Sequence, residues 1–242
     1  DEEGIVLNER PCDYYYVTPG HQVPTGVTMS SARRRQLLEH AARHDAVIIE
    51  DDYDSESNFT LNPLPALKAS DRSGRVVYVS SLSKALSPGL RLGFMVADPD
   101  LIDEARALRR LVYRHPPTNI QYQMAHFLAQ GHYETHLRRY HYDSAQRWER
   151  LHAALQRYLP SCRALAGSEH ANAFWLQTPA QINTQQLTWR AAHAGVLIEP
   201  GARHFLSAAP PDNYFRMGFH AINPDAIAQG VEVLRGQLEQ MG

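Results

Sequence analysis

The chain has 242 residues, a formal net charge of −2 and 43% hydrophobic residues. That length suffices for one large or two small cores, and the near-neutral balance gives no global field favouring nucleic acid or an acidic membrane. Two cysteines, Cys12 and Cys162, supply neither a disulfide framework nor a zinc spacing and suit a reducing cytosol, and no apolar run approaches a membrane span or a signal peptide.

In chain order, Tyr14-Tyr15-Tyr16-Val17 reads as a strand, and residues 18–26, with two prolines and two glycines, read as a fixed loop. Ser30-Ser31 caps a helix through Leu37, Leu38, Ala41 and Ala42. Ala46-Val47-Ile48-Ile49, apolar and bounded by polar residues, predicts a strand buried on both faces, as in a parallel sheet. Val76-Val77-Tyr78-Val79 predicts a further strand. Pro88-Gly89 predicts a turn, and a strand follows from Arg91 to Ala97. Asp98-Pro99 opens a helix through Leu101, Ile102, Ala105 and Leu108, Pro116-Pro117 breaks the chain, and a helix covers 119–130. This alternation implies parallel strands joined by crossover helices, an α/β class.

A long polar helix is expected over about 132–158, with Leu137, Tyr140, Trp148, Leu151 and Leu155 on one stripe and its arginines solvated. Beyond Pro160 the pattern becomes α+β. It shows a strand over 173–177, a helix capped by Asn183 with Gln186, the short apolar run Gly195-Val196-Leu197-Ile198, a strand around Arg216, and a last helix from Asn223-Pro224. The expected organisation is part of a large domain over residues 1–130, then the long connecting helix with a smaller C-terminal domain over 131–242. A ligand between the two domains would be held by Lys84 from one and Arg216 from the other.

Chemistry concentrates where the strands end. The chain has only two lysines, Lys68 and Lys84. Lys84 closes the run Ser80-Ser81-Leu82-Ser83-Lys84, with Arg91 seven residues on. An amine for a carbonyl, the Ser81 and Ser83 hydroxyls and a guanidinium for a phosphate are what pyridoxal phosphate needs, with Lys84 forming the imine. In the acidic run Glu50-Asp51-Asp52-Tyr53-Asp54, Asp51 stands at a strand's carboxyl end, where it would pair with the pyridinium nitrogen, and Tyr53 would reach the ring oxygen. Asp52 and Asp54 are expected to be a solvated turn. His21 and Gln22 would touch a ring edge. Arg216, among aromatics in a short strand, needs either a ligand carboxylate or a buried Asp or Glu, and the sequence weighs these equally.

The order of proline-threonine-glycine loop, strand-Asp-x-Tyr, Ser-x-Ser-Lys, Arg and late strand arginine resembles the fold-type-I pyridoxal-phosphate enzymes, the aspartate-aminotransferase superfamily. The strings VTPGHQVPTGVTMS, EDDYDSE and SLSKALSPGLRLGF are similar to the aminotransferase-like domain of MocR-type (GntR superfamily) transcription regulators. The resemblance implies that Lys84 is the Schiff-base lysine. It implies that Asp51 and Tyr53 contact the ring, that Ser81, Ser83 and Arg91 hold the phosphate, and that Arg216 takes the anionic group of an amino-acid-like effector. It also implies a cytoplasmic homodimer that reaches DNA only through an N-terminal winged-helix domain absent from this chain. Val23 stands where ordinary aminotransferases carry asparagine, which argues for a regulator with little or no turnover. A working aminotransferase and a dimerisation module with a relic site are the alternatives. The strands, glycine-containing phosphate turn and ring-stacking aromatic that precede the proline-threonine-glycine loop in this superfamily are not in the sequence, so it reads as a fragment of a longer protein.

Overall fold

The computed structural model describes residues 1–8, 10, 12–54, 56, 63–165 and 172–241. The chain divides into two compact units, residues 1–22 with 28–141, and residues 23–27 with 142–242.

The first unit is built on a sheet that among the described residues has four strands in the order β1-β2-β3-β4: β1 (Tyr14–Val17), β2 (Val47–Asp52), β3 (Val76–Ser81) and β4 (Gly93–Val96). β1, β2 and β3 pair in parallel. The helix between β1 and β2 is α1 (Ser31–Arg43), and the Ser30 hydroxyl caps it by accepting from the Arg33 amide at 3.1 Å. Leu37 and Ala41 of α1 pack with Tyr15, Val17, Ile48 and Val76 into one core.

Strand alternation decides which side chains enter that core. Tyr15, Val17, Ile48 and Glu50 are buried, whereas Tyr14 and Tyr16 on the opposite face are 66% and 64% exposed, and Ile49, Val77 and Val79 are half-buried. The expectation of a strand buried on both faces therefore holds for one face only, the one that α1 covers. A second correction concerns β4, which runs antiparallel to β3. Parallel return needs a crossover, and residues 82–92 carry only the short 3₁₀ turn Pro88–Leu90.

A four-residue helix, α2 (Leu67–Ser70), had no sequence signal. It exists because the buried Glu50 carboxylate accepts the amides of Leu67 and Lys68 at 2.7 and 2.9 Å, satisfying the helix start from β2. Burial raises the Glu50 pKa, with those two amides opposing the rise. Next come α3 (Pro99–Tyr113), capped by Asp98, then α4 (Thr118–Ala129) and the long α5 (His132–Tyr158). The apolar stripe expected on α3 is present, yet none of its residues is buried.

The second unit carries an antiparallel sheet ordered β5-β6-β8-β7 among the described residues: β5 (Arg163–Ala164), β6 (Ala173–Gln177), β7 (Glu199–Pro200) and β8 (Tyr214–Gly218). The helices α6 (Thr184–His193) and α7 (Ile227–Glu239) belong to this unit, and their Leu187, Ala191, Val231 and Leu234 are buried. Phe174 of β6 stacks on Trp148 of α5 with ring centroids 5.8 Å apart. No described helix is long and apolar enough to cross a membrane.

Candidate functional site

β2 and β3 end in register, with Asp52 opposite Ser80, and the Ser80 hydroxyl donates to the Asp52 carbonyl at 2.9 Å. The chain past both ends turns inward on one spot. Lys84 Nζ lies 2.6 Å from Asp54 Oδ2 and 4.9 Å from the centre of the Tyr53 ring. His21 Nδ1 approaches the same Asp54 oxygen at 3.7 Å. Lys84, Tyr53, Asp54 and His21 are thus gathered from three separate segments.

His21 and Asp54 are both buried, and burial lowers the His21 pKa, with the nearby Asp54 charge opposing the shift and Lys84 adding to it. Two expectations fail here. Asp54 is not a solvated turn residue. It lies in the turn just past the end of β2 and is buried there. Asp52 is also half-buried and accepts the Tyr78 hydroxyl at 2.9 Å, while burial raises its pKa.

The loop bearing His21 is anchored by a residue that sequence reasoning passed over. Arg34 of α1 is buried and donates to the carbonyls of Met29, Pro65 and Pro19 at 2.9, 2.6 and 2.9 Å. The Met29 amide also donates to the Pro19 carbonyl, and Thr28 Oγ1 donates to the Gly20 carbonyl, both at 2.9 Å.

The other expected residues lie nearby in the chain. Asp51, on the less covered face of β2, accepts a short hydrogen bond from the Tyr16 hydroxyl. That bond and burial push the Tyr16 pKa to about 12. Ser81 Oγ accepts the Ser83 amide at 3.1 Å. Arg91 is exposed and sits at φ 48°, ψ 39°, the left-handed region. A non-glycine residue held there costs on the order of 1 kcal/mol, and such strain gathers at ligand sites. Gln22 Oε1 is buried with no hydrogen-bond partner among the described residues.

This donor set fits pyridoxal phosphate. It offers a primary amine for an aldehyde, a carboxylate for a pyridinium nitrogen, and a guanidinium with two hydroxyls for a phosphate. The orphaned Gln22 oxygen is a polar group that a ligand would satisfy.

In the second unit Arg216 has a protein partner, which the sequence left unnamed. In register it stands between Trp175 of β6 and Glu199 of β7. Arg216 Nη1 lies 3.5 Å from Glu199, and the same carboxylate meets Arg203 at 3.5 Å and His204 at 3.3 Å. Pro200-Gly201 closes this corner against Trp175 and Tyr214, whose rings stack at 5.6 Å. A Cβ at Gly201 would meet Trp175 Cη2 at 2.5 Å and Tyr214 Cβ at 2.7 Å. Gly201→Ala should therefore cost about 1–3 kcal/mol of stability through overpacking. Thermal unfolding checks this, and an unchanged melting temperature would mean that the corner is not close-packed.

Residues 17–234 match the family Aminotransferase class I and II. Among curated relatives, the chain is 38% identical to the HTH-type transcriptional regulator TauR of Rhodobacter capsulatus, over 96% of this chain and 48% of that protein. It is 34% identical to the probable rhizopine catabolism regulatory protein MocR of Rhizobium meliloti, over 91% of this chain and 44% of that one. The chain thus spans about half the length of the curated relatives it matches. Among solved structures, the kynurenine aminotransferase of Pyrococcus horikoshii in complex with PMP superposes with a TM-score of 0.86 at 28% identity, covering 94% of this chain and 56% of that one. The fold is that of the fold-type-I pyridoxal-phosphate transferases, and by the match over residues 17–234 the chain belongs to the class I and II aminotransferase family.

Proposed function

We propose that this chain is the effector-binding domain of a cytoplasmic, homodimeric transcription regulator. It holds pyridoxal phosphate on Lys84 and responds to an amino compound with an anionic group. The observation that carries the reading is the setting of Lys84, one of two lysines, against the buried Asp54 and the Tyr53 ring. The similarity to TauR and MocR favours a regulator over a catalyst. DNA would be contacted by another part of the protein.

When bound, pyridoxal phosphate supplies an aldehyde carbon for a covalent link and an electron-withdrawing ring. The protein's share is binding and orientation. Arg91 with the Ser81 and Ser83 hydroxyls neutralises and hydrogen-bonds the phosphate. Asp51 keeps a proton on the ring nitrogen, for which the Tyr16 hydroxyl must give way or share the carboxylate. Tyr53 and the His21–Gln22 segment orient the ring.

Arg216 reads the anionic end of the effector. Glu199 retains Arg203 when Arg216 turns to a ligand, so the Arg216 guanidinium is not required for neutralising that carboxylate. Arg216→Ala in the intact protein should leave the melting temperature nearly unchanged, because exposed and half-exposed pairs contribute about 0–1 kcal/mol. It should weaken effector binding by roughly 1.5–3 kcal/mol, about tenfold to a hundredfold. Titration of γ-aminobutyrate-like, taurine-like and α-amino acids, followed by cofactor absorbance, measures the affinity, and thermal unfolding measures the stability. A large fall in melting temperature with unaltered affinity defeats the role of Arg216. Effector addition should change absorbance with little or no keto acid formed, and turnover above about one per second would make the protein an aminotransferase instead.

A further inference from the structure

We propose that Asp54 is a positioning residue that serves as the counter-ion of Lys84, storing its amine as an ammonium whenever the lysine is not covalently engaged. The inference rests on the reading of Lys84 as the cofactor lysine, but the pairing itself stands on geometry. The Asp54 side chain is only 3% exposed, and neither carboxylate oxygen has a hydrogen-bond partner among the described residues. A buried carboxylate without hydrogen bonds stays ionised only beside a cation. The cation in place is Lys84, whose Nζ stands 2.6 Å away.

His21 is the other candidate, at 3.7 Å, and it is held largely neutral because burial lowers its pKa. The carboxylate's charge is thereby left to the lysine. The further charged and titratable groups around the cluster are Asp52, Glu56 and Tyr53 from the β2 end. From α5 come Tyr133, His136, which contacts the Ala85 carbonyl at 2.7 Å, and His141, which contacts the Glu56 carbonyl at 2.7 Å. The carboxylates among them add to the field that favours an ammonium.

The consequence is a gate on reactivity. An amine condenses with a carbonyl only as the free base, so an ammonium pinned to Asp54 reacts slowly at neutral pH. It gains reactivity as rising pH removes the ammonium proton. Once Lys84 is engaged elsewhere, His21 is the group placed to take up a proton and balance Asp54.

The scarcity of lysine makes this directly measurable. In the cofactor-free intact protein, trace acetylation with acetic anhydride across a pH series, read peptide by peptide, gives a titration curve for Lys84. Lys68, paired with Asp71 at 3.2 Å, gives the curve of an internal control. Lys84 in the unaltered protein should titrate above the ordinary lysine value of about 10.4. Asp54→Asn should move its curve down by about one unit, raising its labelling rate near neutral pH roughly tenfold, with the Lys68 curve unmoved. Asp54→Glu should restore most of the difference.

A merely structural role would raise Lys84 labelling equally at all pH values, including the alkaline plateau, and would overturn the proposal. So would an unaltered Lys84 titrating at or below the ordinary value, a result that needs no variant to fold. The measurement contains no cofactor, so its failure is separable from failure of the cofactor reading, which is tested by where the cofactor attaches.

Discussion

Arg34→Met is expected to be the most destabilising single substitution discussed for the first unit. The guanidinium joins three carbonyls from three segments, those of Met29, Pro65 and Pro19. Pro19 keeps the Met29 amide as a donor and the exposed Pro65 carbonyl can turn to water, but the buried Met29 carbonyl loses its partner at about 1–3 kcal/mol, with the lost Pro65 hydrogen bond adding about 1 kcal/mol. The buried Glu50 also loses a nearby positive charge. A total near 3 kcal/mol corresponds to a fall of roughly 6–12 °C in melting temperature for a chain of this size. Arg34→Lys should recover little of it, because one ammonium cannot reproduce the fork that spans three acceptors. The Pro19 loop carries His21, so the variant should also hold cofactor less tightly. Thermal unfolding by circular dichroism checks the first effect and dialysis retention of cofactor the second. A shift within about 1 °C would show that Arg34 is dispensable.

Lys84→Ala and Lys84→Arg should both abolish covalent retention of pyridoxal phosphate, since a guanidinium is not nucleophilic. Their stabilities should differ. Alanine strands the buried Asp54 carboxylate without its 2.6 Å cation. The cost is about 1–3 kcal/mol, less than for a fully buried pair because the Lys84 side chain is 33% exposed. Arginine keeps a positive charge there and should unfold close to the unaltered protein. Absorbance after exhaustive dialysis and melting curves on the two variants separate the lysine's chemistry from its charge. Cofactor retained by either variant as well as by the unaltered protein would refute the assignment of Lys84.

What the sequence made legible was whatever carries its signal locally. Ser30, Asp98 and Asn183 cap helices as their side chains suggest, and the stripe along α5 reads directly from its spacing. Features created by distant partners were not legible. α2 is started by Glu50 from β2, and β5 exists only through pairing with β6. Arg34 looks like one of three solvated arginines in Arg33-Arg34-Arg35. Only its spacing to Leu37 and Ala41 marks it as inward, and its three acceptors come from separate loops. An acidic run suggests solvent, whereas the turn after β2 buries Asp54 against Lys84 and His21, partners from distant segments. Glu199, the partner of Arg216, follows an apolar run with no strand pattern and meets β8 only through cross-strand register.

Borohydride reduction of the intact protein loaded with pyridoxal phosphate, followed by peptide mapping, tests the central claim most directly. The account predicts one reduced phosphopyridoxyl adduct, on the peptide containing Lys84, with Lys68 unmodified. An adduct on Lys68, or none under conditions where cofactor is bound, would contradict it.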